Sequence, residues 1–418
     1  MKFVVFLIGS CVAVAALLAA RSVLVRPSSG DADALVVWFH QYGEAGTDEA
    51  CQRYTRAFEQ AYPGLRAKLS MFPGDYDSKV NAALLAGQGP DVFEHEPTLD
   101  DVRNKRIAPL DGLFPEHVRA DFDPVAMEAL SFEGKVYGVK IVTDTALLYY
   151  RRSMLRAAGV EPPRTLRELV DAARTLTTRE RKGLFIGNDG GANAGFAWLI
   201  IRSAGERLVD RNGCSFSVLR VVPGVAMLRE LNRQGGLLVG ATADWWDPSA
   251  FINGQCAMQW CGLWAMPAIR KALGDDFGIV AWPALDERGV PVTFVGGHSL
   301  CVNAASPRRQ QALDYLRWTW IDNFEIQADW NLAYGFHLPP RQTVEAQAAA
   351  LQSGVPAEAL RIIHRHGRSM RDWLWLPEMD ATLTSAMAAI VKRGAEPRDE
   401  LNAAVERINR ALDGFLGR

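Results

Sequence analysis

The spacing of apolar and polar residues predicts alternating strands and helices from residue 34 onward. Residues 34–39 form an apolar, β-rich run, and alternation over 65–71 is typical of a second strand. Between them, apolar residues over 47–62 recur at helical spacing after a threonine suited to an N-cap. A helix over 76–86 and a strand over 90–93 follow. This order predicts an α/β unit with a largely parallel sheet.

The pattern beyond residue 144 predicts a second unit of the same class. A strand over 146–150 and a short helix over 154–158 come first. Thr165 with Glu168 three residues later is typical of a capping box at the start of a helix. The tail carries apolar stripes at helical spacing over 379–390 and 401–412, so we expect it to be helical.

The N-terminus has the pattern of an export signal. Lys2 precedes an unbroken apolar run over 3–20, and Arg21 closes it. The run is also long enough to be retained as a membrane anchor, and Cys11 ends a segment similar to a lipoprotein cleavage box. We therefore expect a periplasmic or extracytoplasmic body, either free or tethered by an uncleaved N-terminal segment.

Composition narrows the class of ligand. The 418 residues exceed one ordinary core, which predicts two domains. The net charge of −2 gives no electrostatic reason to bind nucleic acid or an anionic bilayer, and suits a neutral ligand. Among the six cysteines, Cys256 and Cys261 are either bridged or small buried apolar residues. No cysteine–histidine spacing is typical of a zinc site, so we expect no metal. We also expect no cofactor, and we expect the protein to be a monomer.

Several short segments recur in a characteristic order over nearly the whole mature chain. They are 58–64 (FEQAYPG), 73–76 (PGDY), 84–92 (LLAGQGPDV), 134–138 (GKVYG), 147–152 (LLYYRR), 158–160 (AGV), 163–166 (PRTL), 251–258 (FINGQCAM), 262–265 (GLWA), 296–300 (GGHSL) and 335–341 (GFHLPPR). As a set they resemble the extracellular solute-binding proteins of ABC importers, in the carbohydrate-binding family that includes maltose-binding protein. Arg151 departs from that pattern, since the family usually has asparagine there.

The resemblance implies an α/β, two-lobed periplasmic-binding-protein-like fold (type II), with lobes joined by hinge strands and a ligand cleft between them. It implies a discontinuous first lobe, 33–143 plus 299–336. The second lobe is then 144–298 plus 337–418.

The resemblance also implies cleft positions for four residues. Trp264 corresponds to the family's cleft tryptophan, which would stack on a sugar ring; the alternative is a core tryptophan. Asp144 falls at the first crossing between lobes, where a carboxylate accepts from two hydroxyls; the alternative is a solvated loop acid. Phe196 and Trp198 match a second-lobe aromatic, and at most one of them is expected to face the cleft.

Other candidates follow from strand ends. His40, Gln41 and Tyr42 follow the first strand, and ligands of open α/β sheets lie beyond the carboxyl ends of strands. Glu94 and His95 end another strand at the same rim. Neighbours in an extended segment point to alternate sides, which favours hydroxyl binding there over a metal site; a charged surface loop is the alternative.

Four further residues complete the predicted site. Trp246 is a possible aromatic platform beside Asp247. Gly297 and His298 lie at a crossing, where a missing side chain permits torsion and close approach. Arg341 is either a contact to a ligand oxygen or a surface cation.

These residues predict a substrate-binding component of an ABC-type sugar importer. One or two stacked rings, at about 2.5 kcal/mol each, plus three or four charged hydrogen bonds would suffice for micromolar affinity. The expected partners are a mono- or oligosaccharide and the membrane permease, with no nucleic acid. The alternatives are an exported carbohydrate-active enzyme, using paired acids such as Glu94 and Asp144, and an anchored ligand-presenting sensor subunit.

Overall fold

A computed structural model describes residues 33–370 and 372–418. The predicted export or anchor segment, 1–30, lies outside the described residues. Two main sheets and the helices packed on them form two lobes. Across the described ranges, no helix combines the length and apolar character needed to cross a bilayer.

The strands of the described chain are short apart from one near the middle of the second half. They are β1 Leu35–His40, β2 Ala67–Phe72, β3 Val92–Glu94, β4 Ser131–Phe132, β5 Lys135–Val136, β6 Val139–Asp144, β7 Ala146–Tyr150, β8 Lys182–Phe185, β9 Val209–Asp210, β10 Gly213–Cys214, β11 Cys256–Gly262, β12 Gly278–Val280, β13 Thr293–Val302 and β14 Gly367–Ser369.

The α-helices alternate with these strands and dominate the C-terminal part. They are α1 Thr47–Ala61, α2 Tyr76–Leu85, α3 Leu99–Arg103, α4 Glu116–Asp121, α5 Pro124–Leu130, α6 Arg152–Ala158, α7 Leu166–Leu176, α8 Ala194–Ser203, α9 Val218–Arg233, α10 Ser249–Ile252, α11 Met266–Leu273, α12 Arg309–Leu316, α13 Phe324–Ala333, α14 Gln342–Gln347, α15 Gly354–His366, α16 Pro377–Arg393 and α17 Pro397–Leu416. Arg317–Asp322 forms a π-helical segment between α12 and α13.

The elements predicted from apolar spacing are present, with small corrections at two helix starts. Gly46, not Thr47, occupies the N-cap of α1, so Thr47 is the first helical residue. Thr165 caps α7 by accepting from the Glu168 backbone N–H at 3.2 Å. The Glu168 carboxylate accepts from the Arg164 N–H at 2.7 Å, so the predicted capping box is only half formed.

The larger sheet has the order β14-β13-β3-β1-β2, with β6 also paired to β13, and its strands β1, β2, β3 and β6 belong to the first lobe. Strand β1 is parallel to both β2 and β3, as predicted for this unit. Strand β13 is antiparallel to β3 and β6. The carboxyl ends of β1 and β3 therefore lie side by side at one edge of the sheet.

The second-lobe sheet has the order β12-β7-β11-β8. Strand β7 is antiparallel to both β11 and β12, and β11 is parallel to β8. The C-terminal helices α16 and α17 pack on this lobe, since Leu383, Met387 and Leu401 join its core.

The long strand β13 connects the two lobes. Its first residues pair with β14, its middle with β6 and its end with β3. Gly297 lies at the middle with a φ of +102°, and a Cβ there would lie 2.1 Å from the Val142 carbonyl oxygen. Only glycine permits this close approach without displacing backbone.

The buried residues divide between the lobes. One cluster draws its members from 35–142 and 300–330. Two others draw theirs from 146–292 with 383–401, and from 147–295 with 336–363. The chain therefore changes core at the β6–β7 junction, within β13, and again after α13.

Candidate functional site

Three side chains from three strands converge where the lobes meet. His40 ends β1 and Glu94 ends β3, and these two strands are parallel neighbours. His298 lies on β13, two residues before Leu300, which pairs with Glu94. The sheet topology therefore brings residues that are far apart in sequence to one edge.

Glu94 is the centre of this group. One carboxylate oxygen, Oε1, lies 2.5 Å from His40 Nδ1 and 2.7 Å from His298 Nδ1. The other, Oε2, accepts from the Tyr42 hydroxyl at 3.0 Å. We call His40, Glu94, His298 and Tyr42 the Glu94 cluster.

The charges of the Glu94 cluster are strongly coupled. Glu94 is only 4% exposed, and burial by itself would raise its pKa. The interactions with His298 and His40 outweigh burial and lower the pKa of Glu94 to about 2. Burial also opposes the charged form of His298, but Glu94 prevails and raises the pKa of that imidazole. The cluster therefore holds an ionised carboxylate at neutral pH.

A second histidine–carboxylate pair lies at the end of β6. His337 Nδ1 is 2.5 Å from Asp144 Oδ1, and His337 Nε2 is 3.8 Å from Glu44 Oε1. Both members of the closer pair are buried. Burial opposes both charges, yet the attraction between them lowers the pKa of Asp144 and raises the pKa of His337.

A cavity of about 540 Å³ opens beside the Glu94 cluster. Its other walls come from the start of α2, the segment after β3, and the start of α16. Those walls include Asp75, Tyr76, His95, Glu96 and Pro377. Because α16 packs on the second lobe, this cavity lies between the lobes.

A second cavity of about 860 Å³ adjoins the first and shares Asn81, His95, Thr98 and Pro377 with it. Its lining includes Trp373 and Trp375 together with charged residues such as Asp100, Arg106 and Asp380. Together the two cavities form a groove with the Glu94 cluster at one end and, at the other, two tryptophans among charged side chains.

Trp264 stands on the second lobe near the same crossing. Gly262 pairs with Ala146, two residues after Asp144, and the Trp264 ring lies directly over Gly262. The Trp264 indole N–H donates to the Trp246 carbonyl at 2.9 Å. Trp246 itself is 53% exposed. The ligand contacts predicted for these two tryptophans stay predictions.

The structure assigns Phe196 and Trp198 to the core of the second lobe. Each is 4% exposed, and Phe196 packs edge-on against Trp282 with ring centroids 5.5 Å apart. Helix α8 is buried along most of its length, so its aromatic residues serve packing. In this conformation both rings are almost wholly buried.

Two further candidates are engaged elsewhere. The Arg341 guanidinium donates to Asp121 Oδ2 at 2.6 Å and to the Ile321 carbonyl, so it ties the chain after α13 to two segments of the first lobe. The Gln41 amide donates to Asp48 on helix α1 at 3.3 Å. Their side chains therefore have structural partners away from the Glu94 cluster.

His95 and Glu96 line the cavity but point to different partners, as expected for neighbours in an extended segment. His95 Nε2 lies 2.9 Å from Asp101 Oδ2, and Glu96 Oε1 accepts from Lys140 Nζ at 3.1 Å.

Sequence reasoning missed several residues of the groove. Tyr76 lies in a segment that carries the family resemblance, but no role was expected for its side chain. The same holds for His337, which pairs with Asp144 and is not among the residues lining either cavity. Trp373 and Trp375 precede the helical stripes predicted over 379–390 and 401–412, and no role was expected for them. A pair of tryptophans just before the proline that starts α16 was the available signal.

Comparisons with known proteins agree with this architecture. The model of the bacterial extracellular solute-binding protein family matches residues 53–357. This chain belongs to that family. It is a family of binding proteins rather than enzymes, and membership implies a location outside the cytoplasm.

Individual relatives of this solute-binding protein share modest identity over most of its length. A Brucella abortus (strain 2308) protein described as a binding protein is 29% identical over 341 residues, covering 77% of this chain and 78% of that protein. The sn-glycerol-3-phosphate-binding periplasmic protein of Escherichia coli K12 is 23% identical, covering 90% and 92%. The maltotriose-binding protein of Pyrococcus abyssi is 22% identical, covering 58% and 53%.

Solved structures confirm the predicted two-lobed fold. The GacH receptor of Streptomyces glaucescens superimposes with a TM-score of 0.75 at 21% identity, covering 90% of this chain and 98% of that one. The sugar-binding protein MalE of Xanthomonas citri gives 0.74 at 18% identity, covering 91% and 98%.

Proposed function

We propose that this solute-binding protein captures a mono- or oligosaccharide for an ABC-type importer and delivers it unchanged to a membrane permease. The observation that carries the proposal is the groove between the lobes, polar at the Glu94 cluster and aromatic at Trp373 and Trp375. The maltotriose-binding relative supports a sugar as the ligand.

The chemistry of the groove suits a polyol. Sugar hydroxyls donate to carboxylates, and the apolar faces of sugar rings stack on aromatic side chains. Asp75 and Glu96 line the polar end, while Tyr76, Trp373 and Trp375 offer rings. A cavity of 540 Å³ joined to one of 860 Å³ has room for more than one sugar ring, which favours an oligosaccharide.

Capture would occur by hinge closure. We propose lobe boundaries at 33–143 plus 299–336 and at 144–298 plus 337–418. With these boundaries, β6–β7 and β13 are hinge crossings. A ligand that contacts both lobes stabilises the closed form by its differential affinity, and the permease would recognise that form.

A thermal-shift screen tests the ligand class. The purified protein is titrated with mono-, di- and oligosaccharides and with sn-glycerol 3-phosphate, in buffer containing EDTA. We expect the largest rise in the unfolding temperature with a neutral oligosaccharide. His40 and His298 at the polar end are already paired with Glu94, so they offer no free positive charge to a phosphate group.

Two further measurements complete the test. Small-angle scattering with the best ligand should show compaction, and chromatography should recover that ligand intact. Absence of stabilisation by every sugar would refute sugar capture, and absence of compaction would refute hinge closure. Trp375→Ala should weaken binding, whereas Leu219→Ala, on an exposed helix position, should not.

Tethering by segment 1–30 and a monomeric state stay predictions. Comparing the mass of the mature chain from cells with that of the full sequence would distinguish cleavage from retention.

A further inference from the structure

The Glu94 cluster has the donor set of a metal centre. His40, Glu94 and His298 each offer one ligand atom, and these atoms all lie within 4.8 Å of one another. Two imidazoles and a carboxylate are ligands that zinc prefers in sites that keep a position open. From this convergence we infer that the cluster binds one zinc ion at the polar end of the groove.

The distances are compatible with a small adjustment on binding. Zinc bonds of roughly 2.0–2.2 Å in tetrahedral geometry separate the ligand atoms by about 3.3 Å. The present separations from Glu94 Oε1 are 2.5 Å to His40 and 2.7 Å to His298. Each imidazole nitrogen therefore has to move away from Glu94 by less than about 1 Å. Both imidazoles border the cavity, with side chains 26% and 35% exposed, which leaves space for that movement.

The surroundings of Glu94 support the assignment. Its side chain is 5% exposed, and the Tyr42 hydroxyl holds the oxygen that faces away from the imidazoles. A ligating carboxylate is typically fixed in this way by an outer hydrogen bond. Without an ion, the Nδ1 atoms of His40 and His298 donate hydrogen bonds to Glu94. A bound ion would replace these hydrogen bonds, because it would use the same nitrogen and oxygen atoms.

The ion would keep at least one coordination position toward the cavity. His40, Glu94 and His298 all line that space, and three protein ligands leave a fourth position for water or a ligand oxygen. A hydroxyl or carboxylate of a bound solute would suit that position. Zinc binding itself does not rest on the proposed sugar function, because it is measured without sugar.

Calorimetric titration of the purified full chain, without a polyhistidine tag and stripped with EDTA before dialysis, tests the inference with Zn²⁺. We expect one ion per chain with a Kd at or below about 10 μM. His40→Ala and His298→Ala should each weaken binding at least about 100-fold. Tyr42→Phe should weaken it about 10-fold, the lower range for loss of an outer hydrogen bond.

His364→Ala is the matched control, since His364 also pairs with a glutamate, at 3.1 Å, but on helix α15 outside the groove. It should leave the affinity unchanged. Co²⁺ absorption provides a second readout, with the intense visible bands of a four-coordinate site expected only when both groove histidines are present. Circular dichroism of the metal-free variants checks that each is folded.

Several results would overturn the zinc site. They are no saturable uptake, affinity only in the millimolar range, or unchanged binding in folded His40→Ala and His298→Ala proteins. Sugar binding is measured in EDTA, where no zinc is available. Its result is therefore independent of the zinc titration, and failure of the metal site is distinguishable from failure of the proposed sugar capture.

Discussion

Replacing Gly297 by alanine perturbs the crossing between β6 and β13 at its tightest point. The residue has a φ of +102°, and an added Cβ would lie 2.1 Å from the Val142 carbonyl oxygen and 2.8 Å from the Asp144 N. Both are backbone atoms, so the two crossing strands must separate. Gly64 is a matched control, because its φ is +101° and nothing lies within 4 Å of its added Cβ.

The magnitudes separate two effects. A left-handed backbone costs an alanine about 1–3 kcal/mol at either position. At Gly297, separating the strands removes one or two ladder hydrogen bonds and leaves buried groups unpaired, which adds about 2–3 kcal/mol. We therefore expect Gly297→Ala to lower the free energy of unfolding by about 3–6 kcal/mol and Gly64→Ala by about 1–3 kcal/mol.

Urea denaturation followed by tryptophan fluorescence measures both variants beside the wild-type protein. The difference between the two alanine variants isolates the steric effect, since the backbone angle is shared. Equal losses of stability would refute the conclusion that close approach of β6 and β13 is what requires glycine at the crossing.

Three further predictions concern the site and the thiols. Trp264→Ala should weaken sugar binding by on the order of 50-fold, from about 2.5 kcal/mol of ring contact, while Trp264→Phe retains most of it; loss of the fold instead would assign Trp264 to the core. In EDTA, the stability difference between wild-type and His337→Gln proteins should peak between about pH 4 and 6.5. The stability that Asp144 contributes, with its lowered pKa, is lost as pH falls through that pKa. The stability that His337 contributes, with its raised pKa, is lost as pH rises through its own. A stability difference between the two proteins that grows steadily to pH 8.5 contradicts this pairing. Cys256 and Cys261 are buried free thiols on one strand, so both should be alkylated in protein that is unfolded without a reducing agent. An unalkylated peptide two mass units lighter than the dithiol form would show a disulfide and disprove this prediction.

Local pattern predicted local structure well in this chain. The alternation over 65–71 corresponds to β2, and the apolar stripes over 379–390 and 401–412 correspond to α16 and α17. These signals depend only on which face of an element is buried. They could place His40 and Glu94 at strand ends, because strand ends are visible in the sequence.

The long-range parts of the site had no such signal. Nothing in the spacing indicates that β13 pairs with three other strands in succession, and this pairing is what places His298 beside Glu94. Aromatic residues were ambiguous for a different reason. Trp198 and Trp375 look alike in sequence, yet one lies on a helix buried along most of its length and the other on a segment bordering the groove.

His298 lies where the proposed ion and ligand site meets the proposed hinge. It follows Gly297 directly on β13, and the β6 ladder shifts register immediately after it. Its imidazole contacts Glu94 of the first lobe, while Val295, three residues earlier, belongs to a core of the second lobe. If hinge closure occurs as proposed, we expect rotation about this crossing to change the separation of His298 and Glu94. Any solute or ion that bridges those two side chains favours the lobe arrangement in which they are close, by the free energy of that bridge.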